Sequence, residues 1–175
     1  MEINHATKSD INAIMACITD AQSLLKSCGV DQWQDGYPTA EIISGDIERS
    51  ESYLLTDNGE VIATVVISFA GEPTYTTIEG NWLNDNSYAV IHRLAVKAAH
   101  RNKGIAKSIF DQAEQLCLKN GINDLKNELS EKLVENSIHF TRHTVGHGIN
   151  ISGCTTNIHS DQISDTTLSL ATFCQ

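Results

Sequence analysis

The chain has 175 residues, of which 41% are hydrophobic, and this permits one domain with a single core. Its 22 acidic residues outnumber its 12 basic ones, and the net charge of −10 argues against a nucleic-acid-binding surface. We find no basic-then-apolar leader and no apolar run approaching about 18 residues, so we expect a cytoplasmic protein without a membrane span.

The five cysteines are odd in number and widely scattered, and none forms a Cys-x-x-Cys motif. This pattern predicts free thiols in a reducing compartment rather than a disulfide framework.

The N-terminal third predicts a short strand followed by two helices. Residues 2–7 can form the strand, and Ser9-Asp10 is typical of a helix N-cap. Apolar residues then recur at helical spacing until Gly29: Ile11, Ile14, Ile18, Ala21 and Leu25. A second, shorter helix is predicted over Ala40 to Arg49.

The loop between these helices, Gly29 to Pro38, combines aromatic and acidic residues. Trp33 lies between Asp31 and Asp35, and Tyr37 follows. An aromatic ring beside two carboxylates suits a cationic amine, through attraction to the ring face and ion pairing. The alternative is that Trp33 covers the edge of the core and the two acids are solvated.

Two β-rich runs, 51–56 and 61–69, flank Asp57-Asn58-Gly59 and predict a hairpin. A polar, turn-rich stretch over 71–87 leads into a further strand, Tyr88 to Val96. Strands and helices in this order predict a mixed α/β sheet with helices packed on it.

After that strand, the hexapeptide Arg101 to Ala106 precedes an amphipathic helix that ends at Asn120-Gly121. Residues 86–110 contain no acid and hold five of the 12 basic residues, namely Arg93, Lys97, Arg101, Lys103 and Lys107. A glycine at a helix N-terminus lets an anion approach amides that have no partner within the helix. This stretch therefore predicts a site for a phosphate-bearing ligand, with a solvated basic helix start as the alternative.

Strand, turn, hexapeptide and helix together resemble motif A of the GNAT acetyltransferase superfamily, whose pattern is Arg/Gln-x-x-Gly-x-Gly/Ala. The lead-in His92-Arg-Leu-Ala-Val96 is similar to the strand that precedes this motif in the family. The resemblance implies a single GNAT domain over 1–175 that uses acetyl-CoA. It also implies pyrophosphate binding by the amides of Arg101, Asn102, Lys103, Gly104, Ile105 and Ala106, and contact of the pantetheine arm with the backbone of Leu94, Ala95 and Val96.

The C-terminal part, 126–175, is atypical for the family. Ile122 to Leu125 predicts the start of a strand, Glu128 to Val145 aligns with a fourth helix, and 147–153 and 168–173 align with strands. Asn136 falls near an asparagine that many relatives place beside the cofactor, but the usual tyrosine of the fourth helix is missing. On a continuous helix His139, His143 and His147 would share one face, and two histidines four residues apart can bind a metal. No carboxylate or cysteine lies at an obvious third position, so we expect no physiological metal.

Acetyl transfer to an amine requires a base, because a lysine-like ammonium with a pKa of about 10.4 is not a nucleophile. His92 lies two residues before Leu94, and regular strand alternation would place both on one face. His92 is therefore the candidate general base, directly or through a water, and the alternative is a histidine packed within the sheet. For the general acid the sequence offers no good candidate.

These observations predict an N-acetyltransferase acting on a primary amine of a small molecule or peptide, as a monomer or a homodimer. A catalytically inactive CoA-binding module for sensing or protein contact is the main alternative. A nucleotide-binding protein is disfavoured, because neither Gly-x-x-x-x-Gly-Lys-Ser/Thr nor Gly-x-Gly-x-x-Gly occurs.

Overall fold

The computed structural model describes residues 1–71, 87–122, 124–130 and 147–152. Within these residues the chain forms three α-helices and six strands. In chain order they are β1 (Ile3–His5), α1 (Ile11–Ser27), α2 (Ala40–Glu48), β2 (Ser52–Asp57), β3 (Glu60–Ser68), β4 (Tyr88–Val96), α3 (Ile105–Lys119), β5 (Asp124–Ser130) and β6 (His147–Ser152). The helices and strands predicted up to residue 125 are confirmed, with boundaries that differ by a few residues.

The six strands form one sheet in the order β1-β2-β3-β4-β5-β6. The first four strands pair antiparallel, whereas β4 with β5 and β5 with β6 pair parallel. The fold is therefore the predicted mixed α/β sheet with helices packed on it. The connection from β4 through α3 to β5 has the length that a parallel pair requires.

Strands β2, β3 and β4 bury side chains on both faces of the sheet. One face packs against α3 through an aliphatic cluster that includes Ile67, Ile91, Val96, Ile105 and Ile109. The other face packs against α1 and α2 through a second cluster that includes Ile14, Ile18, Ile43, Leu54 and Ala95. Because β3 contributes to a sheet that is covered on both sides, nearly all of its residues are buried.

Local sequence signals account for the boundaries of these elements. The Thr39 side chain accepts a hydrogen bond from the Ile42 amide at 3.4 Å and caps the N-terminus of α2. At the hairpin turn, Asn58 and Gly59 have φ values of +49° and +82°, the positive values that a tight hairpin turn demands.

The predicted fourth helix is wrong over its first residues. Glu128 to Ser130 belong to β5, which pairs with β4 on one side and with β6 on the other. Pairing with neighbouring strands decides between strand and helix here, and a short segment does not reveal that pairing in its own periodicity. The strand predicted over 147–153 is confirmed as β6. The rest of that helix, Asn136, the strand over 168–173 and residues 72–86 lie outside the described residues.

The expectation of free thiols is correct for two cysteines and wrong for a third. Cys17 and Cys117 are free and buried, whereas Cys28 is disulfide-bonded. Disulfide formation depends on the distance between cysteines in the fold, and their spacing in the sequence does not show it. No helix in the described part of the chain is long and apolar enough to cross a membrane.

Replacement of Ile109 by Ala tests the α3 side of the core. Ile109 is fully buried, and we expect the variant to lose about 2–5 kcal/mol in the free energy of unfolding, measured by denaturant titration. Leu118→Ala is the matched control, because Leu118 lies on the same helix with 51% of its surface exposed and should change stability by less than about 0.5 kcal/mol. An equal loss in both variants would contradict this description of the core.

Candidate active site

Strand β4 contains a bulge in its middle. Val66 pairs with His92, and the next pair of the ladder is Thr64 with Ala95. Arg93 and Leu94 therefore lie opposite a single residue of β3, and Arg93 has a φ of +50°. One extra residue in a strand, with a left-handed backbone, is the geometry of a β-bulge.

The bulge changes which residues share a face of the sheet. His92 and Ala95 lie on the face covered by α1 and α2, whereas Leu94 packs against the cluster on the α3 face. The prediction that His92 and Leu94 share a face is therefore wrong, because the extra residue breaks the two-residue alternation between them.

Beyond the bulge, β4 separates from β5. Their parallel pairing ends at Ile91 with Asn127, although β4 continues to Val96 and β5 continues to Ser130. In the described strands, the side of Leu94 to Val96 that faces away from β3 has no pairing with β5. Such an open strand edge can accept an extended ligand through main-chain hydrogen bonds. The predicted pantetheine-binding residues Leu94, Ala95 and Val96 lie along this edge.

The turn that follows β4 presents main-chain amides at the start of α3. Gly104 is the N-cap of α3 and has a φ of +72°, a conformation that glycine adopts without steric cost. In the part of the chain that the structure describes, the amides of 103–107 donate to no acceptor. A Cβ atom built on Gly104 meets nothing within 4 Å, so the turn is open on that side. These amides and the helix N-terminus fit a pyrophosphate group.

The turn is fixed to α1 and to the end of β4. The Arg101 guanidinium donates to the main-chain oxygen of Asp20 at 2.6 Å and to that of Val96 at 3.4 Å. The Asp20 carboxylate accepts the Ala98 amide at 2.8 Å. The side chain of Arg101 therefore holds the turn in place, and the predicted binding of pyrophosphate by the Arg101 amide stays a prediction.

A buried ion pair supports the bulge. Asp46 of α2 is fully buried and receives two hydrogen bonds from Arg93, from Nε to Oδ2 at 2.9 Å and from Nη2 to Oδ1 at 2.7 Å. Arg93 also donates from Nη1 to the Tyr37 hydroxyl, and its Cζ lies 5.8 Å from the centre of the Tyr37 ring. The exposed Arg49 also donates from its Nη2 to Oδ1 of Asp46.

Sequence reasoning missed this group of residues, although a signal was present. Asp46 lies three residues after Ile43 and one before Ile47, at a position that α2 turns toward the sheet. An acid on the apolar face of a helix and a basic residue in the middle of an apolar strand are candidates for a buried pair.

A second polar group lies near His92 on the α1 and α2 face. The Glu51 carboxylate accepts hydrogen bonds from Ser68 Oγ at 2.6 Å and from Arg49 Nε at 2.7 Å. Burial acts to raise the pKa of Glu51, but these hydrogen bonds and the charges of Arg49 and His92 outweigh it and lower that pKa. Glu51 is therefore a carboxylate at neutral pH and contributes negative charge beside His92.

The predicted substrate-binding loop lies on this same face. Trp33 is half-buried and packs against the cluster that contains Ala95, while Asp31 and Asp35 are exposed. Asp35 accepts the Tyr37 amide at 3.2 Å, so one of its oxygens helps to shape the loop. The structure thus brings the loop to the face that carries His92, and the substrate-binding role of Trp33, Asp31 and Asp35 stays a prediction.

Two other chemistries find no support among the described residues. Burial is the main factor that raises the pKa of both Cys17 and Cys117 to about 11, so neither thiol is a nucleophile near neutral pH. The described residues also contain no group of three or more His, Cys, Asp or Glu side chains that could hold a metal ion.

Comparison with known proteins identifies the class to which this fold and site belong. The family model described as "Acetyltransferase (GNAT) family" matches residues 18–146. The chain therefore belongs to the GNAT acetyltransferase family, whose acetyl donor is acetyl-CoA. Among curated proteins, no relative matches the chain significantly.

Solved structures of other proteins show the same fold. A GNAT-family acetyltransferase from Streptococcus agalactiae is 30% identical, with a TM-score of 0.61 over 65% of this chain and 68% of that one. A GNAT-family acetyltransferase from Listeria monocytogenes is 22% identical, with a TM-score of 0.57 over 69% of this chain and 72% of that one. A Clostridium acetobutylicum protein crystallised with acetyl-CoA, and described as a predicted acetyltransferase, is 14% identical, with a TM-score of 0.50 over 82% of this chain and 93% of that one.

Replacement of Gly104 by Ala tests the anion site. At a positive φ a Cβ costs about 1–2 kcal/mol, so we expect the turn to shift and the affinity for CoA to fall about tenfold, measured by calorimetry. Gly121→Ala is the matched control, since Gly121 follows the other end of α3 with a φ of +70° and also has open space around it. Both variants should lose similar stability, and equal CoA affinity in the two would contradict a site at Gly104.

Proposed function

We propose that this protein is an N-acetyltransferase that transfers the acetyl group of acetyl-CoA to a primary amine of a small molecule or peptide. The observation that carries the proposal is the arrangement of residues around the bulge in β4. A strand edge without β5 pairing in the described residues and an open helix N-terminus follow the bulge, while His92 and an acidic, aromatic loop lie on the face of α1 and α2.

The donor side suits a long anionic ligand. The amides at Gly104 would hold the pyrophosphate. The edge of Leu94 to Val96, which has no β5 partner among the described residues, would bind the pantetheine arm as an added strand. Bound acetyl-CoA would supply the acetyl group as a thioester. An amide of this edge can donate to the thioester oxygen, where negative charge develops during the reaction.

The acceptor side suits a cationic amine. Asp31 and Asp35 are exposed on the loop that carries the Trp33 and Tyr37 rings, and Glu51 adds negative charge near His92. Rings and carboxylates together attract an ammonium group, and the net charge of −10 favours the approach of a cation.

His92 is the proposed general base. It lies at the start of the bulge, on the face where the acceptor would bind, and it is half-buried. An imidazole takes up a proton at neutral pH, so it can remove one from the ammonium directly or through a water. Positioning of the amine beside the donor supplies much of the remaining rate acceleration.

The proposal is tested by turnover of acetyl-CoA with polyamines, amino acids and lysine peptides, measured as release of free thiol. We expect amines to be acetylated at nitrogen, as mass spectrometry of the product would show. CoA binding without turnover on any amine would instead support the non-catalytic CoA-binding alternative, and acetylation at oxygen only would contradict the choice of an amine.

Replacement of His92 by Gln tests the base. We expect kcat to fall about a hundredfold, because general-base catalysis is lost, while the affinity for acetyl-CoA stays unchanged. In the native protein kcat should rise with pH between about pH 5 and 8 as the base loses its proton, and the variant should lack this rise. His5→Gln is the control, since His5 lies in β1 at the far edge of the sheet. An unaltered pH profile in His92→Gln would rule out this role.

A further inference from the structure

The bulge in β4 is held in a conformation that its own sequence disfavours. Arg93 has a φ of +50°, a region that residues with a long side chain rarely occupy. Gly or Asn would adopt it more readily, yet the chain has Arg at this position. The surrounding structure must therefore supply the interactions that keep Arg93 there.

Asp46 supplies the interactions that keep Arg93 in this conformation. Its carboxylate is fully buried and binds Nε and Nη2 of Arg93 through separate oxygens, so the guanidinium is fixed in both position and orientation. The remaining nitrogen, Nη1, donates to the Tyr37 hydroxyl. All three nitrogens of Arg93 thus have partners on α2 or on the loop before it, and the backbone of β4 is tied to that layer.

We propose that Asp46 is a positioning residue for acetyl-CoA binding. By holding Arg93 in the left-handed conformation, it maintains the bulge that turns Leu94 toward α3 and separates β4 from β5. In its absence β4 would relax toward a regular strand, and the amides of Leu94 to Val96 would lose the arrangement that binds the pantetheine arm. The inference depends on donor binding along β4 and not on which acceptor the enzyme uses.

A purely structural ion pair makes a different prediction. Loss of a buried partner destabilises a fold whether or not a binding edge depends on it. If stability were the sole contribution, variants that lack the pair would bind CoA equally well whenever they are folded. A purely structural role and a positioning role can be distinguished by removing the ion pair and then varying the conformational preference at position 93.

The experiment compares two double variants, Asp46→Asn/Arg93→Gly and Asp46→Asn/Arg93→Val. Both lack the ion pair, but Gly accepts a positive φ whereas a β-branched residue strongly opposes it. We expect the Gly variant to bind CoA within about threefold of the native protein and the Val variant to bind at least about tenfold more weakly, measured by calorimetry. If the Val variant does not fold, Asp46→Asn/Arg93→Ala takes its place in the comparison.

Hydrogen exchange on the ligand-free proteins gives a second readout that does not require CoA. In the Val variant we expect the exchange rates of the amides of 92–97 to differ from those of the native protein. In the Gly variant we expect these rates to be close to the native ones. Arg49→Ala is the matched control, because it removes the exposed partner of Asp46 and leaves the Arg93 pair intact. It should leave both CoA affinity and exchange over 92–97 unchanged.

Equal CoA affinity in the two double variants, whether native-like or equally weakened, would overturn the proposal, and so would tighter binding by the Val variant. If native protein acetylates no amine but binds CoA with the expected order among the variants, the acceptor assignment fails and the role of Asp46 stands. If native protein does not bind CoA, the proposal is overturned, because it depends on donor binding along β4.

Discussion

The break in alternation at Arg93 is the constraint on which the rest of the site depends. A regular β4 would place His92 and Leu94 on one face and would extend the pairing with β5 beyond Ile91. The bulge instead directs Leu94 to the α3 side and keeps His92 and Ala95 on the other. A single inserted residue thus separates the proposed donor-binding edge from the proposed acceptor side within one strand.

Position 93 is stabilised by charge and not by intrinsic preference. A fully buried carboxylate is costly to remove from water, and two aligned hydrogen bonds from Arg93 offset that cost. Because the guanidinium also contacts Tyr37, the loop 29–38 is connected to the bulge through one side chain. The position of the loop 29–38 and the shape of the proposed donor edge therefore share a common support.

The sequence predicted those parts of the fold that carry local signals. Patterns only a few residues long predict four features: the amphipathic helix α1, the turn at Asn58-Gly59, the strand β4 and the start of α3 after Gly104. The bulge has no such signal, because its extra residue is visible only against the register of β3. The strand over Glu128 to Ser130 was also missed, since partners distant in sequence stabilise it.

The phosphate site was predicted partly from the charge of nearby basic side chains, and the structure revises that reason. The cluster of basic residues over 86–110 suggested that side-chain charge attracts an anion, but most of those side chains are already engaged. Arg93 binds Asp46, Lys97 binds Glu60 at 2.6 Å, Lys107 binds Asp111 at 2.9 Å, and Arg101 binds main-chain oxygens. Lys103 alone of the five is exposed without an ion-pair partner in the described part of the chain.

In the proposed site, the attraction for an anion at this turn would therefore come mainly from main-chain amides at the start of α3 and only secondarily from lysine charge. Amides carry no net charge, so they bind a diphosphate without reversing the acidic character of the protein as a whole. In the proposed function, that combination would let one molecule hold an anionic donor locally while its net charge of −10 favours a cationic acceptor. Because amides at a helix N-terminus are fixed by the fold, the proposed donor site would depend on the geometry of the Gly104 turn more than on any single side chain.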